Sequence, residues 1–382
     1  MTRILISGGG IGGLALAQAL RGAGYEVAVY ERDPAPEPRN QGYRIHIDPD
    51  GNAALAACLP RDVLDLVRRT SGANGDLVAA YTHRLEQVMA QTFPNTGDEA
   101  ITCVDRYTFR QALLTGLQDV VRFGRTVTRY EVTGSGRVRV EFAEGGSDEG
   151  DLLVGADGVG SAVRKQLVPH ATVRDLGVRC LYGRMPLTPD TDRLVPADFD
   201  RGFSWVSDDT GYGAGFAPVR FRTPPPTGVA DYLMTVLVGT PERLGLGDEE
   251  LFRAAPQQLW RIAVDATSTW HESVREFIAH ADPGSFFPIT IRASEPVAAW
   301  ETGPVTLLGD AIHTMPPTGG VGANTALRDA QTLAAELSAG KPLLEAVAAY
   351  ERVMLPRGFE VVEGSLRMAD QMFGRAVRSQ AS

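Results

Sequence analysis

Cysteine, histidine, long apolar runs and positive charge are all in short supply in this chain, and each shortage excludes something. The three cysteines, Cys58, Cys103 and Cys180, are odd in number and share no motif spacing. No disulfide framework is expected, and the thiols read as reduced ones in a cytoplasmic compartment. Six histidines lie scattered, without a second His or Cys at ligand spacing, so no metal site is expected. No apolar run reaches the roughly 18 residues of a membrane span. Lys and Arg number 37 against 47 Asp and Glu, a net charge of -10, which disfavours nucleic acid and anionic membranes as partners. Residues 4–20 could pass for a leader peptide, but the glycines from Gly8 to Gly13 break any apolar helix there. No internal repeat or low-complexity tract is present.

What remains is an ordinary globular composition, 43% hydrophobic and 22% charged over 382 residues. That length suits one large domain and a second one. Ile4-Leu5-Ile6 reads as a buried strand ended by Gly8-Gly9-Gly10. Leu14 to Arg21 reads as a helix, and Val27-Ala28-Val29-Tyr30 as a second buried strand, which makes a right-handed βαβ unit. A turn at Gly42 leads to a helix near Asn52 to Cys58. Leu77 to Phe93 is extended, and Asp105 to Leu117 is helical. Arg137 to Phe142 alternates polar and apolar, as a strand with one wet face does. Leu152 to Val154 returns to a buried strand. From about Val173 to Phe287 strands and turns dominate. Leu343 to Arg357 and Val362 to Arg375 read as two closing helices.

Three motifs carry chemistry. The first is Gly8-Gly9-Gly10-Ile11-Gly12-Gly13, between strand and helix. Gly8 allows the turn, Gly10 lets backbone approach a pyrophosphate, and Gly13 lets helix and strand pack. Glu31 closes the second strand, where a carboxylate accepts from a ribose hydroxyl. The second runs from Leu152 to Arg164. Its Asp157 suits either a ligand contact or the cap of the next helix. The third runs from Val305 to Asn324. Asp310 follows a buried strand, the loop Pro316-Pro317-Thr318-Gly319-Gly320 comes next, and Gly322, Ala323 and Asn324 present N–H groups where a helix begins at Thr325. Such a terminus favours an anion by up to about 2 kcal/mol, which suits the N1–C2=O edge of a reduced flavin. The same loop also suits a rigid turn without a ligand.

In this order and spacing the motifs resemble those of the class A FAD-dependent aromatic monooxygenases, the para-hydroxybenzoate hydroxylase fold. The chain is similar over nearly its whole length to short single-subunit members, the tetracycline-inactivating and salicylate-hydroxylase-like enzymes. The resemblance implies an α/β fold: a Rossmann-like FAD-binding domain with an inserted, mainly antiparallel β-sheet substrate domain and C-terminal helices. The FAD-binding parts would be residues 1–70, 102–172 and 287–382, and the substrate parts 71–101 and 173–286. It assigns Gly8, Gly10, Ile11, Gly13, Glu31 and Arg32 to the ADP half of FAD. Arg44, Arg106 and Asp157 fall near phosphate and flavin, and Asp310 at the ribityl chain. Pro317, Gly320, Gly322, Ala323 and Asn324 form the isoalloxazine loop. An arginine such as Arg44 or Arg106 can equally be a solvated charge.

The resemblance further implies reduction by NADPH or NADH, bound transiently. Oxygen transfer to an aromatic or polyketide-like small molecule would pass through a flavin C4a-hydroperoxide, as in secondary metabolism. Trp205, Tyr212, Phe216, Met234 and Pro317 are candidates for the substrate pocket, though large apolar residues also serve as plain core. His46, Tyr212 and Arg184 are candidates for a base, with no catalytic residue assigned. The halogenase pattern is absent at Phe203-Ser204-Trp205-Val206-Ser207-Asp208. A same-fold flavin reductase or dehydrogenase that does not use O2, and a non-catalytic FAD-binding partner protein, are the alternatives. A monomer or homodimer is expected.

Overall fold

The structure, a computed structural model, describes residues 1–36, 43–94, 97 and 99–378; Gly42 lies outside them. The buried-strand runs assemble into a five-stranded parallel sheet. Its order is Val305–Leu307, Leu152–Gly155, Arg3–Ser7, Glu26–Glu31 and Val121–Phe123. Ile4, Leu5, Ile6, Leu152, Leu153 and Val154 are fully buried, as expected of strands covered on both faces. The helices Ile11–Gly22 and Gly322–Ser338 pack against each other beside this sheet. Residues Val138–Phe142, with their alternating pattern, form the middle strand of a small antiparallel sheet.

A second, seven-stranded sheet runs in the order Phe287–Ser294, Val173–Pro186, Tyr232–Gly239, Gly213–Val219, Gly202–Ser207, Leu77–Thr82 and Gln87–Thr92. It is mainly antiparallel; Gly202–Ser207 and Leu77–Thr82 pair in parallel. The sheet continues past residue 286, where the inserted segment was expected to end, through the strand Phe287–Ser294.

Two expectations are corrected. Residues 241–279, read as strands and turns, form the helices Pro241–Leu244, Asp248–Arg253, Pro256–Ala266 and Glu272–Ala279. They bury Leu251, Leu259, Val274 and Phe277 against one face of the seven-stranded sheet. The two closing helices are a single helix, Leu343–Arg378, with Pro356 inside it. Met354, Leu355 and Val362 are buried on either side of that proline, and this packing carries the helix past a residue that costs it a hydrogen bond. Among the described residues, no helix is long and apolar enough to cross a membrane.

Candidate cofactor and substrate site

The first strand delivers Gly8 to the mouth of a cleft at its carboxyl end. Gly8 has φ +112°, and a Cβ there would lie 2.2 Å from the Ala156 carbonyl oxygen, so only glycine fits. A Cβ at Gly13 would lie 2.1 Å from the Gly8 oxygen, the close helix–strand contact the motif requires. Gly10 differs: a Cβ there would meet no protein atom within 4 Å. Its missing side chain keeps space open in the cleft.

Glu31 ends the next strand, 7% exposed. It accepts from the Gly9 N–H at 2.9 Å and the Asp33 N–H at 2.8 Å, and it pairs with Arg110 at 3.2 Å. Arg110 also donates to the Gly9 carbonyl at 2.9 Å. Gly8, Gly10, Ile11, Glu31, Arg32, Arg106 and Asp157 line this one cleft, together with Tyr107, Arg110 and Arg125, which the sequence reading missed. The available signal for Arg110 was its place one helical turn after Arg106, on the same face.

Asp157 acts at the start of the next helix and also lines the cleft. One carboxylate oxygen accepts from Ala162 N–H at 2.8 Å and Val163 N–H at 3.5 Å, at the start of the helix Ala162–Leu167. The other is buried with no hydrogen-bond partner among the described residues. Burial raises this carboxyl above the usual range, and the hydrogen bonds to Ser161, Ala162 and Val163 oppose the shift.

The third motif approaches the cleft near Arg106, whose charge acts on Asp310. The strand Val305–Leu307 runs into Gly309, at φ +59°. Asp310 follows, still open to solvent although protein surrounds it on most sides. That enclosure raises its carboxyl pKa, while His313 and Arg106 pull it down. The turn Pro317–Gly319 is closed by Gly320 at φ +64°. The next helix starts at Gly322 rather than Thr325. Gly322, Ala323 and Asn324 therefore form its first turn, where N–H groups have no helical acceptor.

The Asn324 side chain is 1% exposed and faces inward. It accepts from the Asp48 N–H at 3.2 Å and donates to the carbonyls of His46 at 3.0 Å and Gly320 at 3.1 Å. What Asn324 offers a ligand is its backbone. Arg44 and Asp105 are paired across the short strands Arg44–His46 and Cys103–Asp105. This brings Arg44 close to Arg106, which lines the cleft. Arg106 lies over the Tyr43 ring at 5.3 Å, and the Arg44 Nε is buried with no hydrogen-bond partner among the described residues. His46 sits beside the loop, 3.3 Å from where a Gly320 Cβ would be.

One face of the seven-stranded sheet packs on the long C-terminal helix, which also holds the Pro317–Gly319 turn. Trp205 and Met234 are on that face, packed with Tyr182, Val236 and, from the long C-terminal helix, Ala369 and Phe373. Arg184 reaches over Tyr232 with 5.2 Å to the ring centroid. Tyr43, Tyr182 and Phe287 form an aromatic cluster with ring centroids 5.0 and 5.8 Å apart in sequence.

Phe216 and Tyr212 are corrected. Phe216 pairs with Ser204, one residue out of phase with Trp205, and successive strand residues face opposite ways. It is fully buried on the other face, 5.3 Å from Phe277. Tyr212 lies there too, its hydroxyl donating to the Arg243 carbonyl. Neither reaches the pocket.

These features fit a dinucleotide flavin: space held open at Gly10, unpartnered polar atoms at Asp157 and Arg44, and an open carboxylate at Asp310. Residues 252–363 match the family model "FAD binding domain", and residues 6–46 the model "NAD(P)-binding Rossmann-like domain". The chain is 32% identical over 409 residues to the dual O-methyltransferase/FAD-dependent monooxygenase of Cercospora beticola. The match covers 97% of this chain and 46% of that protein, so the chain spans about half that relative's length. It is 30% identical to the aurachin C monooxygenase/isomerase of Stigmatella aurantiaca, covering 96% of this chain and 88% of that one. A solved structure from Photorhabdus luminescens, assigned as an FAD-containing monooxygenase, superposes with a TM-score of 0.84. It is 30% identical, and 98% of this chain and 99% of that chain are covered.

Proposed function

The chain belongs to the FAD-dependent monooxygenase family, and from that premise we propose that it takes electrons from NADPH or NADH and hydroxylates or epoxidises a bulky aromatic or polyketide-like molecule. The observation that supports this is the apolar sheet face bearing Trp205, Met234, Tyr182 and Val236, which shares the long C-terminal helix with the Pro317–Gly319 turn: Ala369 and Phe373 pack on that face, and the Ser365 carbonyl accepts from the Thr318 hydroxyl at 2.9 Å. Bound FAD supplies the oxygen chemistry. The protein's work is to bind, orient and keep water out.

Gly8, Gly10, Gly13 and Glu31 hold the ADP half, with Arg32 and Arg110 beside it. Arg44 and Arg106 take the phosphate and flavin region, and Asp310 accepts from the ribityl chain. The helix terminus at Gly322, Ala323 and Asn324 steadies negative charge on the ring edge, by up to about 2 kcal/mol. His46 is the base. Its Nδ1 lies 3.0 Å from the Thr102 carbonyl, which fixes the tautomer and leaves Nε2 as the acceptor. Burial, with Arg44 nearby, lowers its pKa below 6.5, so the ring is neutral at pH 7 and can take a phenol proton.

The test is an anaerobic titration of the FAD-loaded protein with NADPH or NADH, then isotope-labelled O2 in the presence of a panel of phenols and polyketide aromatics. Bleaching that a substrate accelerates, followed by one labelled oxygen in the product, supports the reading. Rapid NAD(P)H oxidation with every aromatic returned unlabelled would mark a reductase. Flavin that binds yet resists reduction would mark a non-catalytic partner.

A further inference from the structure

Behind the Gly309–Asp310 turn, on the side away from the cleft, lies a buried network with no part in the reaction above. Asp329, in the helix Gly322–Ser338, is fully buried. Its Oδ2 accepts from the Gly309 N–H at 2.9 Å and lies 2.5 Å from His313 Nε2. Its Oδ1 accepts from Arg357 of the long C-terminal helix at 2.9 Å. One carboxylate thus gathers a strand end, a loop and two helices.

We propose that Asp329 is a positioning residue for the cofactor, acting through Asp310. Asp310 is exposed, close enough to the cleft-lining Arg106 to feel its charge, and its carboxylate has no side-chain hydrogen bond among the described residues. Its aim is therefore set by the backbone that carries it. Beyond the turn's own bonds, in which the Gly309 carbonyl accepts from the Ile312 and His313 N–H groups at 3.0 Å, side chains hold that backbone at the Gly309 N–H, by Asp329, and at the Asp310 carbonyl, by the Thr314 hydroxyl at 2.8 Å. Gly309 sits in the left-handed region at φ +59°, one of several conformations open to glycine at similar cost, so the Asp329 bond helps select it. Space for the network is kept deliberately clear. A Cβ at Gly358, next to Arg357, would lie 2.5 Å from the His313 ring. Through Arg357 the same carboxylate ties the cofactor turn to the helix that packs on Trp205.

The inference rests on FAD binding, so wild-type titration with FAD is the control. A wild type that does not bind FAD fails the cofactor reading, not this one. The test is Asp329→Asn, read by flavin fluorescence as the apoprotein is titrated with FAD, and separately by calorimetry with ADP. FAD affinity should fall on the order of tenfold, the size of loss seen when a partner behind a ligating group is removed. ADP, which occupies only the Gly8–Glu31 end, should bind within about twofold of wild type. In a cycle with Asp310→Asn, the double variant should bind FAD no worse than Asp310→Asn alone, since the two act as one unit. Additive losses, an unchanged FAD affinity, or an equal loss of ADP affinity would each overturn the proposal. If Asp329→Asn is insoluble, Arg357→Gln carries the same comparison with the same expected directions.

Discussion

Two glycines of one motif show how differently single residues can be used. Gly8 is required by the fold, because its φ of +112° and the Ala156 carbonyl leave no place for a Cβ. Gly10 is required only by what the cleft must admit. Gly10→Ala should leave apoprotein stability within about 0.5 kcal/mol of wild type while weakening FAD binding; Gly8→Ala should destabilise the apoprotein itself. Urea unfolding of both apoproteins separates the two cases. His313 yields a pH prediction. Asp329 raises its pKa above the ordinary 6.5 against the opposing pull of burial. The stability this adds is fully present below 6.5 and is lost as pH rises through the higher folded value. The melting-temperature gap between wild type and His313→Gln should therefore shrink as pH is raised from acid to alkaline. At this scale Gly8, Glu31 and Asp310 were legible, because their residue types occur at spacings that only a few purposes explain. Arg110 and Asp329 were not. An arginine or aspartate in mid-helix looks like surface charge until the fold places something behind it.

At the scale of elements, phase decides. Trp205 and Phe216 are both large aromatics on neighbouring strands, and the sequence offered the pocket to both. Registry separates them: Trp205 stands opposite Gly215, and Phe216 opposite Ser204. Phe216→Ala should cost about 3–5 kcal/mol of stability and leave KM unchanged below its melting temperature. Trp205→Ala should change KM and the range of accepted substrates; steady-state kinetics with two substrates of different size would show it. Pattern also explains what was misread. The helices between 241 and 279 are short, and two of them open with Pro241 and Pro256. Proline at a first helical position is a start signal, but in a Pro-rich stretch it reads as a loop. The break read between Arg357 and Val362 failed for the opposite reason: Pro356 and Gly358 weaken local helix propensity there, and tertiary packing carries the helix through.

For the whole molecule, buried polar contacts help join the seven-stranded sheet to the short strand pair Arg44–His46 and Cys103–Asp105. One is the Tyr232 hydroxyl, which donates to Asp105 at 3.0 Å with both residues buried. Tyr232→Phe strands a buried carboxylate oxygen and should lower stability by about 1–3 kcal/mol, measurable by thermal unfolding. Free FAD at about 100 times its Kd should raise stability by about 2.7 kcal/mol. The layout of the parallel sheet has a further consequence, in time rather than space. The strand at residues 3–7 finds one neighbour at Leu152–Gly155, and that neighbour finds its own only at Val305–Leu307. A ribosome adding about 5–20 residues per second needs roughly 15–60 s to reach that last strand. Throughout that interval Ile4, Leu5 and Ile6 belong to an unfinished core, so the nascent chain is expected to depend on chaperones until Val305–Leu307 emerges.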